Sequence, residues 1–254
     1  MTAIALSALR AQISALERGG AKHPAGAAVL PFGIEAVDRH LPGGGLALGA
    51  VHEVSAAGPE VEQGACAALF AAGLLARRPG PVLWILGRQD LFSAGLAGAG
   101  LDPARLVLVR ARQQALLAME EGLRHPDLAG VVCEIEGRLD LVASRRLQLA
   151  AEASDVLGLV LRRSRKFNDP ALTAPSAASS RWRISGLPSP PPLAHAPDLA
   201  GLGRPLWRLE LLRCRGADSA TWIVEASDAS GHLALASVLA DRTAAPAPLR
   251  RAAG

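Results

Sequence analysis

Gly49-Ala50-Val51-His52-Glu53-Val54-Ser55, running into Ala57-Gly58-Pro59-Glu60-Val61-Glu62-Gln63-Gly64-Ala65-Cys66 and then into an Ala- and Leu-rich segment ending near Arg78, decides the fold. The alternation over residues 49–55 predicts a strand, the glycines a turn, and the segment up to Arg78 a helix. Strand, glycine loop, helix is the layout of a phosphate-binding unit. Working outward, residues 81–86 form a continuous apolar run suited to a buried parallel strand, and 106–109, 130–133 and 156–161 repeat that signal. Helical stretches at 91–99, 113–124 and 144–153 separate them. This β-α alternation predicts an α/β fold, a mostly parallel sheet with helices on both faces.

A working phosphate loop follows G-x-x-x-x-G-K-[ST], in which backbone amides cradle the phosphates, lysine neutralises them and the hydroxyl holds magnesium. Gly58 and Gly64 stand here with one residue too many between them, Ala65 takes the lysine position and Cys66 the hydroxyl position. Glu60 and Glu62 add negative charge where a triphosphate would lie. The loop therefore reads as a tight strand-to-helix turn rather than a catalytic nucleotide site, and the expected cofactor is none.

The chain has 254 residues, 50% of them hydrophobic and 20% charged, with 27 basic and 23 acidic side chains for a net charge of +4. Such a chain can bury a core, which excludes global disorder and bounds the architecture to one good-sized domain with appendages or two small ones. The longest apolar run, 64–76, falls short of the ~20 residues of a membrane span, and no basic region leads into an uninterrupted apolar stretch near residue 1. The expectation is no membrane association, no secretory leader and a cytoplasmic location. Three dispersed cysteines and six histidines without ligand spacing predict neither a disulfide framework nor a metal site.

Leu6, Leu9, Ile13 and Leu16 alternate at steps of three and four, a narrow apolar stripe on a helix that must dock on its own domain or on a neighbouring chain. Arg162, Arg163, Arg165 and Lys166, followed by Arg181 and Arg183, form the densest basic segment, with Phe167 and Trp182 interleaved. Positive charge along a backbone plus aromatics for stacking is the recipe for single-stranded nucleic acid. Residues 162–192 read as a mobile loop, a short strand at 181–184 and a Pro-rich linker, and 207–213 with 221–226 as a hairpin. The expected divisions are an N-terminal helix and linker (1–28), a core (29–187), a linker (188–203), a β segment completing the core (204–243) and a disordered tail (244–254).

Phe32-Gly33-Ile34-Glu35-Ala36-Val37-Asp38, Leu41 to Gly49, Val51-His52-Glu53-Val54, Gly100-Leu101-Asp102 and Gly130-Val131-Val132-Cys133-Glu134 resemble, in order, the core of RecA recombinases. With Arg181-Trp182-Arg183-Ile184 and Trp207 through Gly216, the chain resembles the ImuA family, RecA-like proteins of bacterial SOS mutagenesis operons, over residues 29–242. The resemblance implies a RecA-like core in which Arg88 stands at the position of the catalytic glutamate, Glu134 at that of the Walker-B aspartate and Ser164 at that of the polar sensor. It also implies a non-catalytic accessory role in the translesion-synthesis mutasome, near the nucleoid. ImuB would be the partner, with RecA, the error-prone C-family polymerase and single-stranded DNA as further ones, and homo-oligomerisation through the N-terminal stripe is a further expectation. The ImuB contact is expected in the C-terminal region, on Trp207, Arg213 and Arg215. Two other readings stay open: a DNA-stimulated ATPase with an atypical loop, in which Glu134 keeps magnesium, and a SulA-like inhibitor of cell division.

Overall fold

The structure is a computed structural model; it describes residues 28–193, 196 and 201–236. The apolar stripe from Leu6 to Leu16 and the tail beyond residue 236 lie outside the described residues. β1 (Val29–Leu30) and β2 (Leu46–Ala47) pair antiparallel beside the main sheet, with the short helix α1 (Glu35–Asp38) between them. The core begins with β3 (Val51–Ala56), followed by α2 (Glu60–Ala76) and β4 (Val82–Ile85). β5 (Leu106–Val109), α3 (Ala115–Gly122), β6 (Gly130–Glu136), α4 (Leu141–Glu152) and β7 (Leu157–Arg163) continue the alternation. β8 (Ser180–Leu187), β9 (Leu206–Cys214), β10 (Ala220–Glu225) and β11 (Ala234–Leu235) follow among the described residues.

Nine strands form one sheet in the order β11-β10-β9-β8-β3-β7-β6-β4-β5. The six from β8 to β5 run parallel, and β9 to β11 extend the sheet antiparallel. The central parallel strands carry buried apolar side chains on both faces because helices cover both. On one face Phe70 and Leu75 of α2 pack against Val54, Trp84, Leu159 and Trp182. On the other, Met119 of α3 and Leu147 of α4 pack against Val51, Ile85, Val131 and Val160. Val51 and Val54 serve opposite cores because side chains alternate along a strand.

Three elements differ from their expected form. Residues 91–99 do not make a full helix: a 3-10 turn covers Ser93–Ala99 and closes on Gly100 at φ 87°, because Gly95 and Gly98 weaken an α-helix of this length. β7 runs two residues past Leu161, so Arg162 and Arg163 are strand residues rather than the start of a loop. β8 is not a short strand in a mobile region; it is eight residues long and lies inside the sheet between β3 and β9.

Gly73, in the middle of α2, is required by a close approach: a Cβ there would lie 2.7 Å from Ser227 Cβ. The loop after β10 rests on this helix. The far end of α2 is capped by Arg105, which donates to Gly80 O at 2.8 Å, to Ala76 O and Leu75 O at 3.2 Å each, and to Arg78 O. The last carbonyls of a helix lack intrahelical donors, so this one side chain satisfies several of them. Arg105→Ala is expected to lower the urea midpoint at unchanged slope, a loss of about 1–3 kcal/mol.

Candidate functional site

In open parallel sheets the ligand crevice lies beyond the carboxyl ends of the strands. There the ends of β3, β4, β6 and β7 and the first half of α2 enclose a cavity of about 550 Å³. The strand-to-helix turn at its mouth is short. Pro59 caps α2 and the helix begins at Glu60, so Gly64, Ala65 and Cys66 are helical residues in the second turn, not a loop around a phosphate. The Glu60 amide already donates to the Ser164 carbonyl at 2.8 Å. Cys66 is half-buried, and that burial raises its thiol pKa.

The floor is a network of arginines and carboxylates. Arg163, at the end of β7, donates to Glu134 Oε2 at 2.5 Å, to Asp90 Oδ1 at 2.9 Å and to Glu60. Burial opposes its charge, but the hydrogen bonds it donates to Asp90 and Glu60 and the field of Glu134 outweigh that, and its pKa is raised. The same hydrogen bond from Arg163 holds the Asp90 carboxyl below its usual range. Glu134, at the metal-holding position the resemblance implies, also accepts from Trp84 Nε1 at 3.0 Å and from the Gly87 amide at 3.2 Å. Arg88 bridges Glu136 at 2.6 Å and Glu60 at 3.4 Å. The structure thus brings together Gly58, Gly64, Ala65, Arg88 and Glu134 around one cavity, and adds Glu60, Asp90 and Arg163 to them.

The basic segment expected to meet nucleic acid is taken apart by the fold. Arg162 is 3% exposed and donates to Glu53 at 2.5 Å, to Gly137 O at 2.5 Å and to Ala171 O at 2.9 Å. Arg181, also buried, reaches the other Glu53 oxygen at 3.2 Å and Ala174 O at 2.7 Å, while Ser176 Oγ donates to the same carboxylate. Trp182 is fully buried: its ring lies 5.3 Å from Phe32, 6.2 Å from Phe70 and 6.3 Å from Trp222, and its Nε1 donates to Ser180 Oγ at 2.7 Å. Arg183 holds Glu210 by two bonds of 2.8 and 2.7 Å, which lower the Glu210 pKa and raise its own. Arg165, Lys166 and Phe167 alone of that set are exposed. The physical reason is register: Arg162 and Arg181 share with Glu53 the face of the sheet opposite α2, where an unpaired buried charge is too costly to persist.

The C-terminal set divides: Trp207 is buried, Arg215 is half-buried and Arg213 is exposed. Trp207 is 3% exposed. Arg213 donates to Ala178 O at 2.6 Å and to Ser176 O at 3.2 Å, and Arg215 to Ala177 O at 2.5 Å. Together with Arg181 they staple residues 174–178 across the strands. Sequence reasoning missed Glu53, whose signal was a carboxylate inside a strand otherwise buried on both faces. It also missed Asp90, for which no sequence signal exists.

A RecA-type recombinase fold is what this sheet and crevice define. The crystal structure of the RadB recombinase superposes with a TM-score of 0.53 at 19% identity, covering 77% of this chain and 95% of that one. No protein-family model matches the sequence. Protein ImuA of Caulobacter vibrioides, from strain NA1000 / CB15N and from strain ATCC 19089 / CB 15, is 45% identical over 240 residues, 89% of this chain and 96% of the relative. The chain belongs to the ImuA family. Among the described residues no helix is long and apolar enough to cross a membrane.

Proposed function

We propose that this chain is a non-catalytic RecA-like accessory protein of SOS-induced translesion synthesis, a cytoplasmic scaffold that holds ImuB. The observation that carries this reading is the state of the nucleotide crevice. A triphosphate needs free amides at the helix start, a cation for its β and γ groups and a carboxylate or hydroxyl for magnesium. Here the helix starts early, its first amide is taken, and Arg163 is held by three carboxylates, one of which is Glu134. A nucleotide would have to separate these ion pairs and then lie against Glu60 and Asp90. The residues present do not fit MgATP, and no catalytic step is derived through it.

With chemistry absent, recognition remains, and ImuB binding is the partnership that membership of this family points to. Buried Trp207 holds the C-terminal strands in place, and the contact falls to exposed positions of those strands, Arg213 among them. Calorimetry of the full-length protein with MgATP should give no heat above dilution, while mixing with ImuB should give a complex on size exclusion. ATP binding with turnover would replace this reading with the ATPase one, and absence of the complex would remove the scaffold role.

A further inference from the structure

One face of α2 lines an apolar groove. Val61, Gly64, Ala65, Ala68 and Leu69 recur at helical steps along the wall of the 550 Å³ cavity, with Val61 92% exposed. The opposite wall is the 91–96 segment, where Phe92 is 75% exposed. Three small residues between two larger ones leave room for the bulky side chains of an incoming helix. At the end of this groove lie four carboxylates, Glu60, Asp90, Glu134 and Glu136, against two guanidiniums, Arg88 and Arg163. Four minus two leaves an excess of two negative charges, and Glu60 Oε2 is buried without a donor. An apolar groove with an acidic end suits an apolar helix that carries a cation.

The chain itself contains such a segment. In sequence, Leu6, Leu9, Ile13 and Leu16 recur at steps of three and four, with Arg10 among them. We propose that residues 4–18 dock in cis into the groove between α2 and the 91–96 segment, with the four apolar side chains over Gly64, Ala65 and Ala68 and Arg10 toward Glu60. The geometry of the tether allows it. Ala28 is anchored by accepting from the Leu48 amide at 2.9 Å, and Pro31 O accepts a hydrogen bond from Arg77, next to the C-terminal end of α2. From Leu16 to Ala28 the chain can span about 40 Å when extended. The 17 residues of α2 cover about 25 Å. A tether of this length gives a local concentration on the order of millimolar, which favours docking within one chain over docking between chains at micromolar protein.

This inference rests on reading the crevice as closed to nucleotide, and it assigns the vacated mouth a regulatory occupant: a partner helix bound there must displace residues 4–18. The test uses the full-length protein carrying Ile13→Cys with Ala65→Cys, oxidised and mapped by mass spectrometry. Controls are Ile13→Cys alone and Ile13→Cys with Thr221→Cys on the far strand β10. A disulfide joining the two introduced thiols within one chain, forming at least about tenfold faster than in either control, is the expected result. A disulfide between chains would overturn cis docking and give the groove to a second copy, and no preference over the controls would overturn docking altogether. Hydrogen exchange provides a measurement without cysteines: Leu9→Glu with Ile13→Glu should speed exchange of residues 60–69 by about tenfold, as expected when two buried apolar side chains leave a surface. Unchanged exchange counts against the proposal. MgATP calorimetry on the same protein separates the two readings, because ATP binding refutes the closed crevice whatever the crosslink shows, whereas no ATP binding and no crosslink refutes only the docking.

Discussion

Glu53→Ala is expected to lower the unfolding free energy by about 3–5 kcal/mol, enough to unfold a large part of the population at moderate urea. The carboxylate has 1% side-chain exposure and is the counterion for both Arg162 and Arg181. Removing it strands two guanidiniums in the face of the sheet that α4 covers. Each of these arginines already has a buried Nε without a partner, so neither has hydrogen bonds in reserve. Glu53→Gln keeps an acceptor but not the charge and should fall between wild type and Glu53→Ala. Replacing all three groups with apolar residues should cost less than Glu53→Ala alone, because a buried ion pair mainly repays its own desolvation. The measurement is urea denaturation followed by circular dichroism. A loss under about 1 kcal/mol is what an exposed ion pair gives; it would mean that Arg162 and Arg181 can turn outward, which would return both to the list of candidate nucleic-acid contacts.

The same triad shows where the sequence was readable and where it was not. The parallel core was legible because its evidence is local: apolar runs of strand length at 81–86, 106–109 and 130–133 correspond to β4, β5 and the start of β6. The RecA-like fold was legible through a resemblance carried in order by residues 32–38, 41–49, 51–54, 100–102 and 130–134 rather than by any one turn. The fate of the arginines was not, since it depends on which strands become neighbours. Nothing near Arg181 in sequence says that it will lie across from Glu53, 128 positions away, on a strand inserted between β3 and β9. A cluster such as Arg162-Arg163-Ser164-Arg165-Lys166 looks like one basic surface in sequence. In the fold its first member faces the sheet interior, Arg163 and Ser164 line the crevice, and only Arg165 and Lys166 are exposed to solvent. The crevice was half legible: Gly58, Gly64 and Ala65 line it, after the strand as the sequence order has them, whereas the cage around Arg163 needed Asp90, brought in by the loop after β4.

Trp182→Ala should be nearly as severe, about 3–5 kcal/mol, and for a different reason: it opens a cavity rather than stranding a charge. Trp182 is fully buried on the α2 face, ringed by Phe32, Phe70 and Trp222, with Ser180 Oγ accepting its indole N–H. Trp182→Phe keeps most of the volume and should cost less than half as much, whereas a residue that served only to stack on bases would tolerate alanine without loss of stability. Phe167→Ala provides that contrast within the same segment. Its ring is 66% exposed, so its removal should leave the denaturation curve within about 0.5 kcal/mol of wild type. Thermal and urea unfolding of the three variants, with single-strand affinity measured on those that remain folded, distinguishes the roles. If Trp182→Ala kept full stability and lost only affinity for single strands, the ring would have to leave the core to meet a base, and β8 would be a mobile strand. If instead Trp182→Ala unfolds and Phe167→Ala does not, any aromatic contact with a nucleic acid from this segment has to come from Phe167, flanked by Arg165 and Lys166. The basic segment would then be a three-residue tip on a rigid strand rather than an extended binding loop.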